Sequence, residues 1–422
     1  MTTIGLKLTP LDVLFFRDAR PFGQADSASS GLPTPQSFYG LVKTHLALTY
    51  NVPFHRLHGL RKTNQDNRWI SEIKTRGVWL FREENIFVPV PANLVQLGKT
   101  GGKYRLLQPL QENNFPGWDD PELHPLWFQA SEGDESPRAV AGFLNRANLQ
   151  KYLSGDLSEE NKWAETDITK PDCLYTFEPR TGIGIDPATR IAADSQIYSA
   201  TFLRLQEGVS FYGEIEVDER FESKLDGAFE KPLALPWGGE GRRVLIERCP
   251  VYDWPEPAKL EQGRLVSLLI TPGIFGSRDG RNQNGNGSNP QPSWRPGGLG
   301  TLKAAAVGRP QPISGWNLSG RDVSDDSIEE VEQGANLSQS TPHDSGPVTD
   351  LPHESGRPKP TRYAAPAGSV YFWQIGKNNR SVKEGKQLQS VEPLSTKPLE
   401  SDAGWGLSLT GVWKYLDSNT SF

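Results

Sequence analysis

The residues of this chain whose types and spacing suit chemistry are arginines set among glycines. Arg180 and Arg190 bracket the loop Gly182-Ile183-Gly184-Ile185, and Gly238, Gly239 and Gly241 run straight into Arg242 and Arg243. Near the N-terminus Arg17 and Arg20 flank Asp18. A guanidinium offers fixed N–H donors to phosphate, and a glycine lets a backbone approach closely, so this pattern suits an anionic polymer. Each group also has a plainer reading: an internal Arg–Asp pair at Asp18, a loop anchored in the core by Ile183 and Ile185, and a tight turn at Gly238–Arg243. Catalytic patterns are missing. There is no GxxxxGK[ST] loop and no HExxH. The acidic pairs Asp119-Asp120 and Asp325-Asp326 sit in Pro-rich or low-complexity sequence and read as solvated surface rather than metal ligands. Cys173 and Cys249 are isolated, so no zinc site or disulfide framework is expected, and a reducing cytosol fits. Among six histidines, His45 is the one placed where a general acid or base could stand. A packing role is its alternative, and His55 and His58 fall in a basic loop.

The elements that must hold these residues are mostly strands. With 34 Pro, 42 Gly and 12 Trp in 422 residues, a turn-rich β protein in two domains is expected. Ile4, Leu6 and Leu8 alternate as a half-buried strand. Phe38, Leu41, Val42 and Leu46 form the apolar stripe of a helix over 33–50, with Ser37 as its cap. Residues 78–91 read as a hairpin turning at Glu83-Glu84-Asn85. Residues 175–217 combine a loop without periodicity and a second apparent hairpin, in which Ile197–Leu203 turns at Glu207-Gly208 and returns from Phe211 to Val217. A short helix over 219–229 and a strand over 244–249 complete the first half. Its order is the βαββαβ, ferredoxin-like plan, with an insertion at about 52–196. The second half repeats the plan with strands near 265–271, 301–307 and 369–375, and a Gly-rich loop running into a strand over 404–416. This gives an α+β chain of two domains, 1–255 and 262–422.

Net charge is −6, which at first argues against nucleic acid. Its distribution reverses that. Residues 321–357 hold nine acidic and two basic side chains, a net of −7, so the rest of the chain sums to +1. That Ser/Asp/Glu/Pro-rich tract, about 318–360, lacks apolar periodicity and is expected to be disordered or loosely held. Residues 56–76 and 278–309 are locally basic. The N-terminus has no signal-peptide pattern, and no apolar run approaches a membrane span.

Several stretches together resemble one family. PLDVLFFRDARPF, PTPQSFYGLVKTHL, EPRTGIGID, SQIYSATFLRL, LPWGGEGRR and WRPGGLGTLKAAAVGRPQPISGW look like the third-subunit family of the Cmr complex, the type III-B CRISPR effector, within the RAMP superfamily. The resemblance implies two tandem ferredoxin-like (RRM-like) domains and a non-catalytic, cofactor-free, cytoplasmic subunit of an antiviral ribonucleoprotein. Such a subunit caps the 5′ tag of CRISPR RNA, pairs with the large polymerase/cyclase-like subunit, abuts a backbone RAMP subunit and meets target RNA only indirectly. Carried over by motif, the RNA contacts are Arg20, Lys43, Arg180, Arg190, Arg242 and Arg243 with the glycines at 238, 239 and 241. Ile183 and Ile185 would form a thumb-like wedge against a kinked strand. The competing expectations are a RAMP endoribonuclease using His45 and a scaffold that contacts only protein.

Overall fold

The structure is a computed structural model that describes residues 1–17, 27–53, 67–98, 103–111, 118, 120, 122–128, 133–156, 162–185, 189–256, 262–275, 294–297, 299–313, 316–317, 357–358, 361–376, 392–394 and 401–416. Arg20, His55, His58, the basic residues at 56, 61 and 62, the Gly/Asn-rich stretch 278–293 and all of 318–356 lie outside these described residues.

The first strand, Thr2–Pro10, alternates as its sequence demands, with Ile4, Leu6 and Leu8 buried. The first helix, Pro35–Thr49, follows. Thr34, not Ser37, caps it: the Thr34 Oγ1 accepts from the Ser37 amide at 3.3 Å, and Ser37 Oγ donates back to the Thr34 carbonyl at 2.7 Å. Pro35 then starts the helix where no amide is needed. Phe38, Leu41, Val42 and Leu46 all point into the core, and the helix stops at Tyr50 with Asn51 at φ 52°.

This helix packs on an antiparallel seven-stranded sheet ordered Phe143–Leu144, Asn85–Pro89, Lys74–Arg82, Ser210–Val217, Thr2–Pro10, Arg243–Cys249, Leu233–Pro236. The strands Thr2–Pro10, Lys74–Arg82, Ser210–Val217 and Arg243–Cys249, taken in chain order, lie side by side as second, third, first, fourth. In the second half Arg264–Leu269, Thr301–Ala306, Val370–Gln374 and Leu407–Val412 lie in the same order, with Glu392–Pro393 on the edge. The described residues thus form a strand-dominated mixed α/β protein. The two sheets share a core, in which Trp79, Phe81 and Tyr212 of the first meet Val266, Leu268, Phe372 and Leu409 of the second. The Trp79 indole N–H donates to the Ile270 carbonyl at 2.8 Å across it.

Strand pairing bears out one expected hairpin and corrects three other expectations. The hairpin at 78–91 forms, with Glu83 and Glu84 both at positive φ as a two-residue turn of this hand requires. The apparent hairpin across Glu207-Gly208 does not. Ala192–Leu205 pairs with Tyr175–Ile185, while Ser210–Val217 pairs with Thr2–Pro10 and Lys74–Arg82. The physical reason is burial. Ser210–Val217 is buried on both faces, so it must sit between two partners inside the sheet. The sheet therefore takes its second strand from residues 74–82, within the stretch expected to be an insertion. Residues 175–185 are likewise a strand of eleven residues, not a loop. Pro179 is tolerated because this strand is the edge of its sheet, which runs Tyr175–Ile185, Ala192–Leu205, Ser27–Ser29.

Helix and sheet are in close contact at Gly213. A Cβ there would lie 2.6 Å from the ring of Phe38, which is fully buried. Gly213→Ala is expected to destabilise the fold by about 1–3 kcal/mol through overpacking. Adding Phe38→Leu should recover part of that loss. Urea denaturation of the single and double variants checks both statements, and additive losses would place the strain elsewhere.

Candidate nucleic-acid interface

The register of the edge pair brings charge together. Glu178 faces Phe202 and Arg180 faces Ala200, while Thr176 faces Arg204. Because side chains alternate along a strand, Glu178, Arg180, Phe202 and Arg204 share one face. Phe202 is buried on that face beside Ala200, and the chain just after the first strand covers it with Val13 and Phe15. The Phe15 and Phe202 rings lie 5.2 Å apart. Leu14 and Leu203 exchange backbone hydrogen bonds at 2.8 and 2.9 Å, which puts Asp12 at the rim of the same face.

The Gly-rich loop arrives from the other side. The Gly239 amide donates to the Phe15 carbonyl at 2.7 Å. At Gly238, with φ +82°, a Cβ would lie 2.5 Å from that same carbonyl, so the approach requires glycine. The Trp237 ring, buried between Phe16 and Phe211, donates its N–H to the Ser37 carbonyl at 3.2 Å and ties the loop to the first helix. Held this way, the loop delivers Arg242 over the Phe202 ring, 4.6 Å from its centroid; Arg180 lies 5.2 Å from the same ring.

Three guanidiniums therefore converge on two carboxylates. Glu178 accepts from Arg180 Nε at 2.7 Å and from Arg204 Nε. Asp12 lies 3.2 Å from Arg204, 3.3 Å from Arg242 and 3.5 Å from Arg180. The cluster keeps one net positive charge, rests on an aromatic ring and opens to solvent. Three guanidiniums also carry more N–H donors than two carboxylates can accept. Chemically it is an anion site with a π platform beneath it.

Arg180 and Arg242, expected as RNA contacts, are brought together. Arg243 opens the strand Arg243–Cys249 of the main sheet, where it donates to the carbonyl of Ala234 on the edge strand at 2.8 Å. Arg190 stands exposed near the start of Ala192–Leu205 at φ 58°. Lys43 lies on the first helix with its ammonium 4.3 Å from the Tyr39 ring centroid. Gly241 sits at φ +61° in the turn. Ile183 and Ile185 do not anchor a loop in the core: they are 54% and 62% exposed, beside exposed Ile191, and the strand register shifts between them. His45 is half-buried and structural in its contacts. Its Nε2–H donates to the Ala228 carbonyl at 2.7 Å, and its ring packs 4.9 Å from Phe229. Sequence reasoning passed over Arg204, Phe202, Glu178 and Asp12. Alternation in TFLRL places Phe202 and Arg204 on one face and could have flagged them, whereas nothing local marks Asp12.

Among the described residues no group of three or more His, Cys, Asp or Glu side chains could hold a metal ion. Among them, too, no helix is long and apolar enough to cross a membrane.

Residues 6–327 match the family model described as CRISPR-associated protein (Cas_Cmr3). The chain is a CRISPR-associated protein. It belongs to the Cas_Cmr3 family. Among solved structures it is similar to a chain in the type III-B Cmr-beta complex bound to cognate target RNA and AMPPnP, with a TM-score of 0.44 and 15% identity, covering 87% of this chain and 86% of that one. It is also similar to a chain in the Csm3–Csm4 subcomplex of the type III-A CRISPR-Cas interference complex, with a TM-score of 0.37 and 14% identity over 91% of this chain and 98% of that one. No curated protein matches it.

Acid should act on the arginine cluster through Glu178. Hydrogen bonds from Arg204 and then Arg180 hold its carboxyl down to about 2 from 4.5. The folded value is the lower one, so the pairing contributes its full stability above about 4.5 and loses it as pH falls towards 2. Glu178→Gln is expected to lower the denaturation midpoint near neutral pH and to converge with the parent chain across that acid window. A difference that persists at the acid end would refute the charge-based origin.

Proposed function

We propose that this chain is a non-catalytic subunit of a type III-B CRISPR effector. It holds the 5′ tag of the CRISPR RNA and docks the large polymerase/cyclase-like subunit onto the neighbouring backbone RAMP subunit. The observation that carries the reading is the family match over residues 6–327. The arginine face supplies a place for the RNA, because a single strand is held by phosphate contacts and by stacking on exposed apolar groups. Arg180, Arg204 and Arg242 would take phosphates. Arg190, with Ile183 and Ile185 beside it at the end of the edge pair, would meet the splayed tag. The repeated strand order supports reading the chain as two tandem ferredoxin-like domains, 1–255 and 262–422. The engagement of His45 Nε2 with the Ala228 carbonyl weighs against the endoribonuclease alternative, since that nitrogen is occupied in holding the two helices together.

A complex assembled with Arg180→Gln and Arg190→Gln is expected to retain guide RNA about tenfold less tightly, with a shallower salt dependence, while the subunit stays folded with a melting temperature lowered no further than in Glu178→Gln. Undiminished retention in a folded double variant would remove the RNA contact from this face. Purified protein incubated with repeat RNA is expected to leave it intact. Cleavage that disappears on His45→Ala would replace the subunit reading with the nuclease one.

A further inference from the structure

The two carboxylates of the arginine cluster are not equivalent. Glu178 accepts Nε–H donors from both Arg180 and Arg204, and the Arg180 bond, at 2.7 Å, is in the range of strong charge-assisted bonds. Asp12 lies 3.2, 3.3 and 3.5 Å from its three arginines, longer than such bonds run, and its side chain is 46% exposed. Its partners come from three separate parts of the chain: Arg180 and Arg204 from opposite strands of the edge pair, and Arg242 from the Gly-rich loop. Asp12 is thus the group on which all three guanidiniums converge, and it is the one held loosely.

The spot it fills is the spot a phosphate would want. A diester phosphate also carries one negative charge. It has two free oxygens that can take N–H donors from two or three guanidiniums at once. The underlying support does not depend on Asp12. Phe202 keeps Arg180 and Arg242 over its ring, and Glu178 keeps Arg180 and Arg204 in place. An anion arriving at this face therefore meets a preorganised set of donors whose occupant can leave.

We propose that Asp12 is an internal competitor for the RNA phosphate: its carboxylate occupies the three-arginine site in the free chain and is displaced when a backbone phosphate binds. The inference rests on the reading of this face as an RNA contact and adds the residue that sets its strength. Glu178 braces the arginines; Asp12 holds their site until the strand arrives. The arrangement keeps three like charges tolerable in the free protein and lowers its attraction for unrelated polyanions, because each of them must first displace the carboxylate.

The experiment compares the full chain with Asp12→Asn, Glu178→Gln and the double variant Arg180→Gln/Arg242→Gln. Binding of a fluorescent single-stranded oligouridine of about eight nucleotides is read by anisotropy over a series of salt concentrations. Asp12→Asn is expected to bind about threefold to tenfold more tightly at low salt, with the gain shrinking as salt rises. Glu178→Gln should bind more weakly, and the double arginine variant more weakly still. Melting temperatures establish that each variant is folded. If the arginine variant loses affinity while Asp12→Asn binds equally well or less well, Asp12 is a brace and the competitor role is overturned while the RNA face stands. If the arginine variant binds as the parent does, the RNA face fails and the competitor role fails with it. Asp12→Asn that instead tightens binding of a polyglutamate peptide, with RNA unaffected, would assign the site to an acidic protein partner and also overturn the proposal.

Discussion

Burial of the strand Ser210–Val217 on both faces is the constraint from which the rest of the molecule follows. One face presses Gly213 against Phe38 of the first helix. The other turns Tyr212, fully buried, towards the shared core with the second sheet. Even a carboxyl is enclosed: Glu214 is 2% exposed, accepts from the Tyr212 hydroxyl at 2.9 Å, and burial raises its pKa above the ordinary range. A strand enclosed in this way must be paired along both edges, because an unmet amide or carbonyl there would cost as much as a lost buried hydrogen bond. That requirement pulls Lys74–Arg82 and Thr2–Pro10 to its two sides and leaves Ala192–Leu205 to find its partner elsewhere.

The parts of the fold legible in the sequence are those whose cause is local. Alternation in Ile4, Leu6 and Leu8, the helical stripe from Phe38 to Leu46 and the turn at Glu83-Glu84 each state their structure within a few residues. Partnership is not local. Ser210 pairs with Phe81 across more than a hundred residues, and no pattern in either strand names the other. Residues 175–185 are illegible for a different reason. Pro179, Gly182 and Gly184 are poor strand formers, accepted because an edge strand needs to satisfy only one side. Of the arginine face, Arg180 and Arg242 stand out amid glycines and could be read. Asp12 is 192 residues from Arg204 and gains its meaning only when Leu14 and Leu203 pair.

Bringing guanidiniums together is unfavourable unless something offsets their repulsion, and this face uses two devices. Carboxylates neutralise most of the charge. The face of Phe202 attracts two of the cations through its quadrupole and fixes the plane in which their donors lie. Neither device needs burial, so the site stays open to solvent. Its precision derives from what is buried beneath it: Phe15 and Phe202 under the arginines, and the Gly239 amide bonded to the Phe15 carbonyl.

The turn at Gln206–Val209 connects the arginine-bearing edge pair directly to the buried central strand Ser210–Val217. It closes with a hydrogen bond from the Val209 amide to the Gln206 carbonyl at 3.1 Å, and Gln206 is fastened to the Leu174 and Asp172 carbonyls at 2.9 and 2.7 Å. There is no slack in this joint. These bonds tie the edge pair to the main sheet through a turn of four residues. Anything held on the edge pair would therefore be positioned relative to the main sheet by a short turn bonded at both ends.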